Sequence, residues 1–291
     1  MRKPSLRSLS LASILCIAFA NTAFADCLHS LWTVKGKQNT VYLLGSMHLL
    51  RASEPIPTVM DDAYRDAEKL VMEIDMDDLD PVAGQQAAMR LGVLPAGQTL
   101  SKQLDSATAA KLAAYAQRLG IQLTMLESFR PWLAAMTLTQ LHLMKLGLDP
   151  QSGIEQRMVV RAASDHKEIL GLETVDEQLG LLANLSPKLQ TEFLTQTLAE
   201  ADQIETEIDK MIAAWRTGDT VALEKFLLDM NDSPEIARVL VANRNRNWMA
   251  RLDKILNDKE DYLVIVGAMH LVGDDGLVAL LKQRGFKVVQ R

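Results

Sequence analysis

Short apolar runs along the chain predict β-strands, most of them near its two ends. Runs of mostly apolar residues occur at residues 31–34, 40–44, 70–74, 168–172, 262–266 and 286–289. Their length and composition are typical of buried strands. The polar stretch at residues 35–39 separates the first two runs and predicts a hairpin turn.

The long middle of the chain predicts helices. A capping residue stands directly before a proline at Asp80, Asp149, Ser186 and Ser233, and this pair suits the first turn of a helix. Thr174 and Glu177 have the spacing of a capping box. We therefore predict an α/β fold, with a mixed sheet formed by the N- and C-terminal segments and a large helical insertion. A separable helical subdomain over residues 187–257 is the alternative.

The first 25 residues have the pattern of a secretory signal peptide. Basic residues precede an apolar stretch at residues 9–19, and Ala23-Phe24-Ala25 matches a cleavage signal. The apolar stretch is shorter than the roughly 20 residues that span a bilayer, so we expect no stable membrane span after cleavage. The prediction is an exported, periplasmic protein, with residues 26–291 as a single domain.

Composition narrows the range of functions. The 291 residues carry a formal net charge of −6 without a Lys/Arg-rich run, so nucleic acid is not an expected partner. The chain has two cysteines, and Cys27 alone remains after signal cleavage. No internal disulfide is therefore expected, and the role of Cys27 is left open. The oligomeric state is left open as well.

The most informative pattern is a repeated unit at residues 41–49 and 263–271. Each unit consists of four apolar residues followed by Gly, a small residue, Met, His and Leu. We expect a buried strand that turns at its glycine and carries the histidine just beyond the sheet edge. Ligands of open α/β sheets bind at that edge, so neighbouring strands would bring His48 and His270 together. The alternative is a histidine that merely satisfies a polar position.

Two histidines and one carboxylate form a minimal set of metal ligands. His48, His270 and Glu73 are our candidate ligands, since such a set leaves a coordination position open for water. Glu73 ends an apolar strand, where an unpaired acid is costly to bury. The alternative places Glu73 in solvent at the strand end.

Four further residues are candidates for catalysis. Glu155 and Glu173 are second choices as ligand or general base, although Glu173 could instead support the next helix through its dipole. Arg130 and Arg244 are candidates for binding a peptide carboxylate or stabilising an oxyanion. The ordinary alternative for both arginines is a helix surface.

The sequence resembles the TraB/GumN family, which is related to the Tiki proteins and more distantly to the erythromycin-esterase and ChaN-like group. The resemblance spans the chain after its first 25 residues and rests on both Gly-x-x-His units, Glu73, Arg130-Pro131-Trp132, Gly153-Ile154-Glu155, Gly171-Leu172-Glu173-Thr174, Arg244-Asn245 with Trp248, and Gly273 with Gly276. It implies an α/β core with both Gly-x-x-His loops at one site. The Tiki branch implies a peptidase that uses a divalent metal, manganese or cobalt.

The sequence prediction is a hydrolase-like exported protein that acts on a peptide or small molecule with manganese, cobalt or zinc. No His-Glu-x-x-His helix and no Gly-x-Ser-x-Gly elbow occurs, so better-known protease classes gain no support. The alternatives are a non-catalytic peptide-, haem- or metal-binding protein and a metal-independent, esterase-like hydrolase.

Overall fold

The computed structural model describes residues 28–78, 80–229 and 234–291. The predicted signal peptide, Cys27 and the predicted cap Ser233 lie outside the described residues. The strands are β1 (Leu31–Lys35), β2 (Thr40–Ser46), β3 (Lys69–Ile74), β4 (Ile169–Glu173), β5 (Tyr262–Gly267) and β6 (Val288–Gln290). The helices are α1 (Thr58–Asp66), α2 (Pro81–Gly92), α3 (Ser106–Leu119), α4 (Pro131–Lys145), α5 (Ile154–Asp165), α6 (Val175–Ala183), α7 (Pro187–Glu200), α8 (Ile204–Thr217), α9 (Thr220–Asp229), α10 (Pro234–Ala237), α11 (Asn243–Ile255) and α12 (Leu277–Gln283).

The six strands form one mixed sheet in the order β4-β3-β5-β2-β1-β6. β4, β3, β5 and β2 run parallel, while β1 is antiparallel to both β2 and β6. The predicted mixed α/β class and the β1–β2 hairpin are confirmed. β6 starts at Val288 rather than at the predicted residue 286.

Alternating strand residues supply two separate cores, one on each face of the sheet. Leu44, Met72 and Ile265 pack on one face with α1, α5, α8 and α9. Leu43, Val71 and Val264 pack on the other face with α11 and α12. Because α8 and α11 each share a core with the sheet, residues 187–257 do not keep a core of their own.

Further helices pack beside the sheet around two more apolar clusters. One cluster joins α3, α4 and α7, and the other includes Trp132, Leu182 and Leu185. These helices come from two stretches of chain, one between β3 and β4 and one between β4 and β5. Among the described residues, no helix has both the length and the apolar character needed to cross a bilayer.

Three of the predicted helix starts are confirmed, and one is wrong. The side chains of Asp80, Thr174 and Ser186 each cap a helix by accepting a backbone N–H. Asp149 caps only a short 3-10 turn, Pro150–Ser152, and α5 begins after Gly153. A side chain at Gly153 would lie 2.1 Å from the carbonyl oxygen of His48, so close packing decides this start.

Candidate functional site

Four parallel strands bring polar residues to one edge of the sheet. Glu73 lies at the end of β3, Glu173 ends β4 and Gly267 ends β5. β2 ends at Ser46, which pairs with Gly267, and the chain continues to His48. Parallel strands carry their carboxyl ends to the same edge, and this is why distant sequence positions meet here.

Gly267 leaves a small space around which the candidate ligands converge. A Cβ atom on Gly267 would lie 3.4 Å from Glu73 Oε1, 3.5 Å from His48 Nε2 and 3.6 Å from His270 Cδ2. Because the atoms of both histidines lie so near one point, they are at most about 7 Å apart. The two histidines and Glu73 therefore face a single space of about the size of a methyl group.

Gly45 and Gly267, the glycines of the two Gly-x-x-His units, have a structural role that differs from the predicted turn. Neither Gly45 nor Gly267 has a positive φ, so the chain does not need glycine there for a turn. A side chain on Gly45 would come within 3.1 to 3.2 Å of Ala268 and Ser30. Gly45 thus lets the β2 and β5 ends approach closely, and Gly267 keeps the site open.

His270 is buried and held in one orientation. Its Nδ1 lies 2.7 Å from Asn245 Oδ1, and the amide nitrogen of Asn245 donates to the carbonyls of His270 and Asp275. The amide oxygen therefore faces the ring, and Nδ1 carries the proton. Burial lowers the pKa of His270 to about 3, so the ring is neutral at neutral pH with a lone pair on Nε2.

His48 lies in more open surroundings, with its side chain 60% exposed. Its Nδ1 is 2.7 Å from Glu155 Oε1, and the hydroxyl of Ser46 donates to the same oxygen. The charge of Glu155 raises the pKa of His48 above its ordinary value. Glu155 Oε2 is buried without a hydrogen-bond partner among the described residues. Glu155 thus fixes the ring so that Nε2 faces the space over Gly267.

Arg244 lies at the centre of the site. Its Nη2 is 2.5 Å from both Glu73 Oε2 and Glu173 Oε1, and its Nη1 donates to His270 Nε2 at 3.0 Å. Burial alone would lower the pKa of Arg244, but Glu73 and Glu173 outweigh it and raise the pKa. Arg244, predicted as a site residue, is a buried charge that links two acids and one histidine.

Further side chains that were not candidate site residues in the sequence complete the cluster. The Gln178 amide nitrogen donates to Glu73 Oε2 and to Glu173 Oε1, each at 3.1 Å. Trp248 donates from Nε1 to Glu173 Oε2 at 3.1 Å, and its ring centre is 4.6 Å from that of His270. Trp248 and Asn245 are among the residues that carry the family resemblance, and Ser46 is the small residue of the first repeated unit, whereas Gln178 had no signal in the sequence.

Arg130 is the candidate that the structure does not bring into this cluster. It precedes α4 as the residue before the first turn, and its Nε donates to the carbonyl of Val93 at 3.4 Å. Its other contacts hold the start of α4 beside the end of α2. The predicted role of Arg130 at the site has no support from these contacts.

The acids of the site outnumber its permanent cations. Burial by itself would raise the pKa of Glu73, but His270 and Arg244 outweigh burial and lower it. Burial is likewise outweighed at Glu155, whose pKa is lowered mainly by His48. With His48 protonated and His270 neutral, the three carboxylates of Glu73, Glu155 and Glu173 face two positive charges, those of Arg244 and His48. A buried cluster with such an excess of negative charge favours a cation.

The donor chemistry of these residues fits a divalent metal. Glu155 and Asn245 hold Nδ1 of the two histidines, which leaves Nε2 of each ring as the atom that could bind a metal. Within residues 28–78, 80–229 and 234–291, no three acidic, histidine or cysteine side chains form a ready metal-binding group. The bond from Arg244 to His270 Nε2 must break before that atom can bind a metal.

Comparisons with known proteins place the chain among relatives of similar length. The protein named "Uncharacterized protein YbaP" of Shigella flexneri is 26% identical over 252 residues, or 86% of this chain and 90% of the relative. Its namesake in Escherichia coli (strain K12) is 26% identical over 243 residues, or 83% and 87%. An uncharacterized protein of Treponema pallidum (strain Nichols) is 20% identical over 269 residues, or 87% and 80%.

No solved structure gives a significant match to the chain. The sequence model of the TraB/PrgY/gumN family matches residues 30–290, so it includes every strand of the sheet and every residue of the cluster described above. The chain therefore belongs to the TraB/PrgY/gumN family.

Proposed function

We propose that the cluster at the carboxyl edge of the sheet is the active site of a divalent-metal-dependent hydrolase that cleaves peptide bonds. The observation that carries the proposal is the convergence of His48 Nε2, Glu73 Oε1 and His270 on the space over Gly267. Manganese, cobalt and zinc are the candidate metals. The pattern of residues 1–25 supports the accompanying proposal of export to the periplasm.

His48, Glu73 and His270 would hold the metal, with Nε2 of each histidine and Oε1 of Glu73 as the donor atoms. When bound, the metal would polarise a substrate carbonyl and lower the pKa of a water molecule. Glu155 keeps the proton of His48 on Nδ1, and Asn245 does the same for His270. These two partners hold the donor atoms in place before any ligand arrives.

The remaining residues of the cluster hold the acids in position and provide donors for the substrate. Glu173, Gln178 and Trp248 form a hydrogen-bonded frame that fixes the acids around Arg244. The N–H groups of Arg244 already donate to Glu73, Glu173, His270 and the carbonyl of Leu240, so the Nη1–H released from His270 Nε2 is the one that can stabilise negative charge on a carbonyl oxygen. Arg244 also pairs with His270 Nε2, so release of this pair accompanies occupation of the site.

The test combines metal binding with peptide cleavage. Purified protein is stripped with EDTA, titrated with Mn²⁺, Co²⁺ or Zn²⁺ by calorimetry, and incubated with a peptide library whose products are read by mass spectrometry. We expect metal-restored cleavage that His48→Ala abolishes. His166→Asn is the matched control, because His166 is exposed after α5 and asparagine tolerates its positive φ. Absence of both metal binding and cleavage refutes the proposal.

One observation favours a second candidate, a metal-independent hydrolase. Arg244 already satisfies His270 Nε2, and His48 forms a pair with Glu155 that resembles the histidine–carboxylate pair of metal-free hydrolases. In that case ester or peptide cleavage survives EDTA unchanged. Peptide or metal binding with no cleavage under any condition would instead identify a non-catalytic binding protein.

A further inference from the structure

The guanidinium of Arg244 has an acceptor for each of its five N–H donors. Nε donates to both oxygens of Glu173, and Nη2 donates to Glu173 Oε1 and to Glu73 Oε2. Nη1 donates to the carbonyl of Leu240 at 3.1 Å and to His270 Nε2 at 3.0 Å. Because Arg244 is buried, loss of any of these acceptors is costly unless another acceptor takes its place.

The bond from Arg244 to His270 is the one that a ligand can displace. The bonds of Arg244 to Glu73 and Glu173 join opposite charges in a buried place, and such bonds are the strongest of the set. The carbonyl of Leu240 lies only four residues before Arg244 in the chain, so this acceptor moves with Arg244. His270 Nε2 is a neutral acceptor, and it is also an atom that is proposed to bind the metal.

Glu73 can bind a cation without losing its pair with Arg244. Its Oε2 accepts from Arg244 Nη2, whereas its Oε1 accepts the N–H of Gly267 at 2.8 Å and faces the space over that glycine. Binding of a metal by Oε1 and by Nε2 of His48 and His270 would therefore break one hydrogen bond of Arg244, the bond to His270.

The two halves of this bond suit two different ligands. Nε2 of His270 offers a lone pair, which a divalent cation can bind. Nη1–H of Arg244 is a charged donor, for which a carboxylate oxygen is a strong acceptor. The ligand that binds first must break the bond and leaves the other half unpaired in a buried place. The second ligand then binds without breaking a bond, so the two ligands favour each other.

Both ligands have a route to this bond. A groove of about 930 Å³ lies between α6 and α11, and Arg244 is among its lining residues. This volume is within the range of pockets that hold small ligands, so a small carboxylate can reach Arg244 from the groove. The side chain of His48 is 60% exposed, so a metal ion can approach from solvent at the other histidine. The two ligands can therefore bind in either order.

We propose that the Arg244–His270 bond couples two ligands of the site, a divalent cation that binds His270 Nε2 and a carboxylate that binds Arg244 Nη1, so that each binds more tightly in the presence of the other. This coupling rests on the proposed function for its metal, and it specifies how the same site is regulated. Hydrolysis of a peptide bond releases a carboxylate, so the product is held more tightly while the metal is bound.

The first measurement is metal affinity with and without a carboxylate, which does not depend on turnover. Purified protein stripped with EDTA is titrated with Mn²⁺ by calorimetry, once in sodium chloride and once in excess sodium acetate of the same ionic strength. We expect acetate to lower the Kd for Mn²⁺ about tenfold, because the Nη1–H that the metal displaces then has a charged acceptor. An unchanged Kd overturns the proposal.

The second measurement separates this coupling from direct coordination of acetate by the metal. Arg244→Lys keeps a positive charge beside the acids but removes the planar guanidinium, which bonds His270 and both acids at once. We expect Mn²⁺ alone to bind this variant about tenfold more tightly than the unsubstituted protein, because His270 Nε2 no longer has to be released. Acetate should then lower the Kd by no more than about twofold. An equal effect of acetate on both proteins overturns the proposal, since acetate then acts on the metal alone.

A surface variant and a second site variant complete the test. Arg65→Lys is the matched control, because Arg65 is exposed on α1 and pairs with Asp61 and Asp62 of the same helix. Its two Kd values for Mn²⁺ should equal those of the unsubstituted protein. If circular dichroism shows that Arg244→Lys does not fold, Arg244→Gln combined with Glu173→Gln replaces it, since one buried acid is then lost together with the arginine. The same loss of the acetate effect is expected.

Hydrolysis separates this proposal from the proposed function. If Mn²⁺ and acetate bind with the predicted dependence on Arg244 but no peptide is cleaved with any metal, the coupling holds and the hydrolase proposal fails. If the protein cleaves peptides with Mn²⁺ while acetate changes the Kd equally in the unsubstituted protein and in Arg244→Lys, the hydrolase proposal holds and the coupling fails. If no metal binds to any of these proteins, both proposals fail.

Discussion

The two Gly-x-x-His units carry the same residues into different surroundings. His48 follows β2 in a loop, has a side chain 60% exposed and pairs with the carboxylate of Glu155. His270 follows β5 in a short 3-10 turn, is buried and pairs with the amide of Asn245. The first ring is therefore reachable and drawn toward the charged form, while the second is fixed and neutral.

This difference shows how a repeated motif can acquire two functions at one site. A carboxylate beside Nδ1 stabilises an imidazolium and raises its pKa, whereas an amide in a buried position cannot. His48 is suited to exchange a proton or a ligand with solvent, and His270 is suited to hold a neutral donor atom in place. Glu73 lies between them and faces both rings.

Removal of each imidazole is expected to give the largest effect. His48→Ala and His270→Ala should both lower turnover by roughly 10³-fold, because each ring contributes a donor to the same space. Their stabilities should differ: loss of the His270 ring leaves one N–H of Arg244 and the Oδ1 of Asn245 without a partner in a buried place, and should cost about 2–3 kcal/mol of unfolding free energy. Loss of the exposed His48 should cost less than about 1 kcal/mol, since water can replace the ring.

Urea unfolding of both variants, together with peptide turnover, checks this contrast. Equal losses of stability would show that the two rings are equally integrated in the fold. Full activity of either variant would show that the substituted histidine has no role in turnover.

Filling the shared space is expected to give the next largest effect. In Gly267→Ala the added methyl group lies at ordinary contact distances, 3.4 to 3.6 Å, from Glu73, His48 and His270. The fold should persist, but turnover should fall about 100-fold because the methyl group occupies the place of a ligand. Gly84→Ala in α2 is the control, since its Cβ has no neighbour within 4 Å. Thermal unfolding checks that the fold persists, and turnover of Gly267→Ala at the wild-type level would contradict the prediction.

The pH dependence of stability should separate the two rings by sign. The folded-state pKa of His270 is depressed to about 3, so its contribution is present above the ordinary pKa near 6.5 and is lost as pH falls toward 3. The folded-state pKa of His48 is raised to about 9, so its contribution is present below 6.5 and is lost as pH rises toward 9.

Unfolding free energies measured by urea titration from pH 4 to 9 check both signs. A difference of one bound proton between the folded and unfolded states changes the unfolding free energy by about 1.4 kcal/mol per pH unit. The exposed His48 should change it by less. His270→Gln should reduce the loss of unfolding free energy on the acid side. Part of that loss should remain, because burial also lowers the pKa of the buried His142. His48→Gln should reduce the loss on the alkaline side. The contrast between the two histidines would be refuted if His270→Gln acted on the alkaline side and His48→Gln on the acid side.

A substitution that gives His270 the same kind of partner as His48 should have the smallest effect. Asn245→Asp places a carboxylate beside His270 Nδ1, as Glu155 does beside His48, and should raise the pKa of His270 by about 1–2 units. The two donor bonds of Asn245 to the carbonyls of His270 and Asp275 are lost, so stability should fall by about 1–3 kcal/mol. NMR titration of the imidazole signals measures the shift, and an unchanged pKa would assign the difference to burial alone.

The sequence by itself determined the strands, the mixed α/β class and most of the residues of the cluster. Apolar runs mark strands because buried strands need them, and a histidine after such a run is carried to the sheet edge. Glu73 stood out because an acid that ends an apolar strand needs a partner. These are local properties, so a short window of residues contains them.

Only the tertiary structure decided how the cluster is connected. β4 comes from the middle of the chain, Arg244 from α11 and Gln178 from α6, and their contacts depend on strand order and helix packing. The different partners of His48 and His270 come from elements that lie 107 and 25 positions away in sequence, from Glu155 and Asn245 respectively. Local pattern cannot fix such pairings, because burial and charge at a point arise from every element that packs around it.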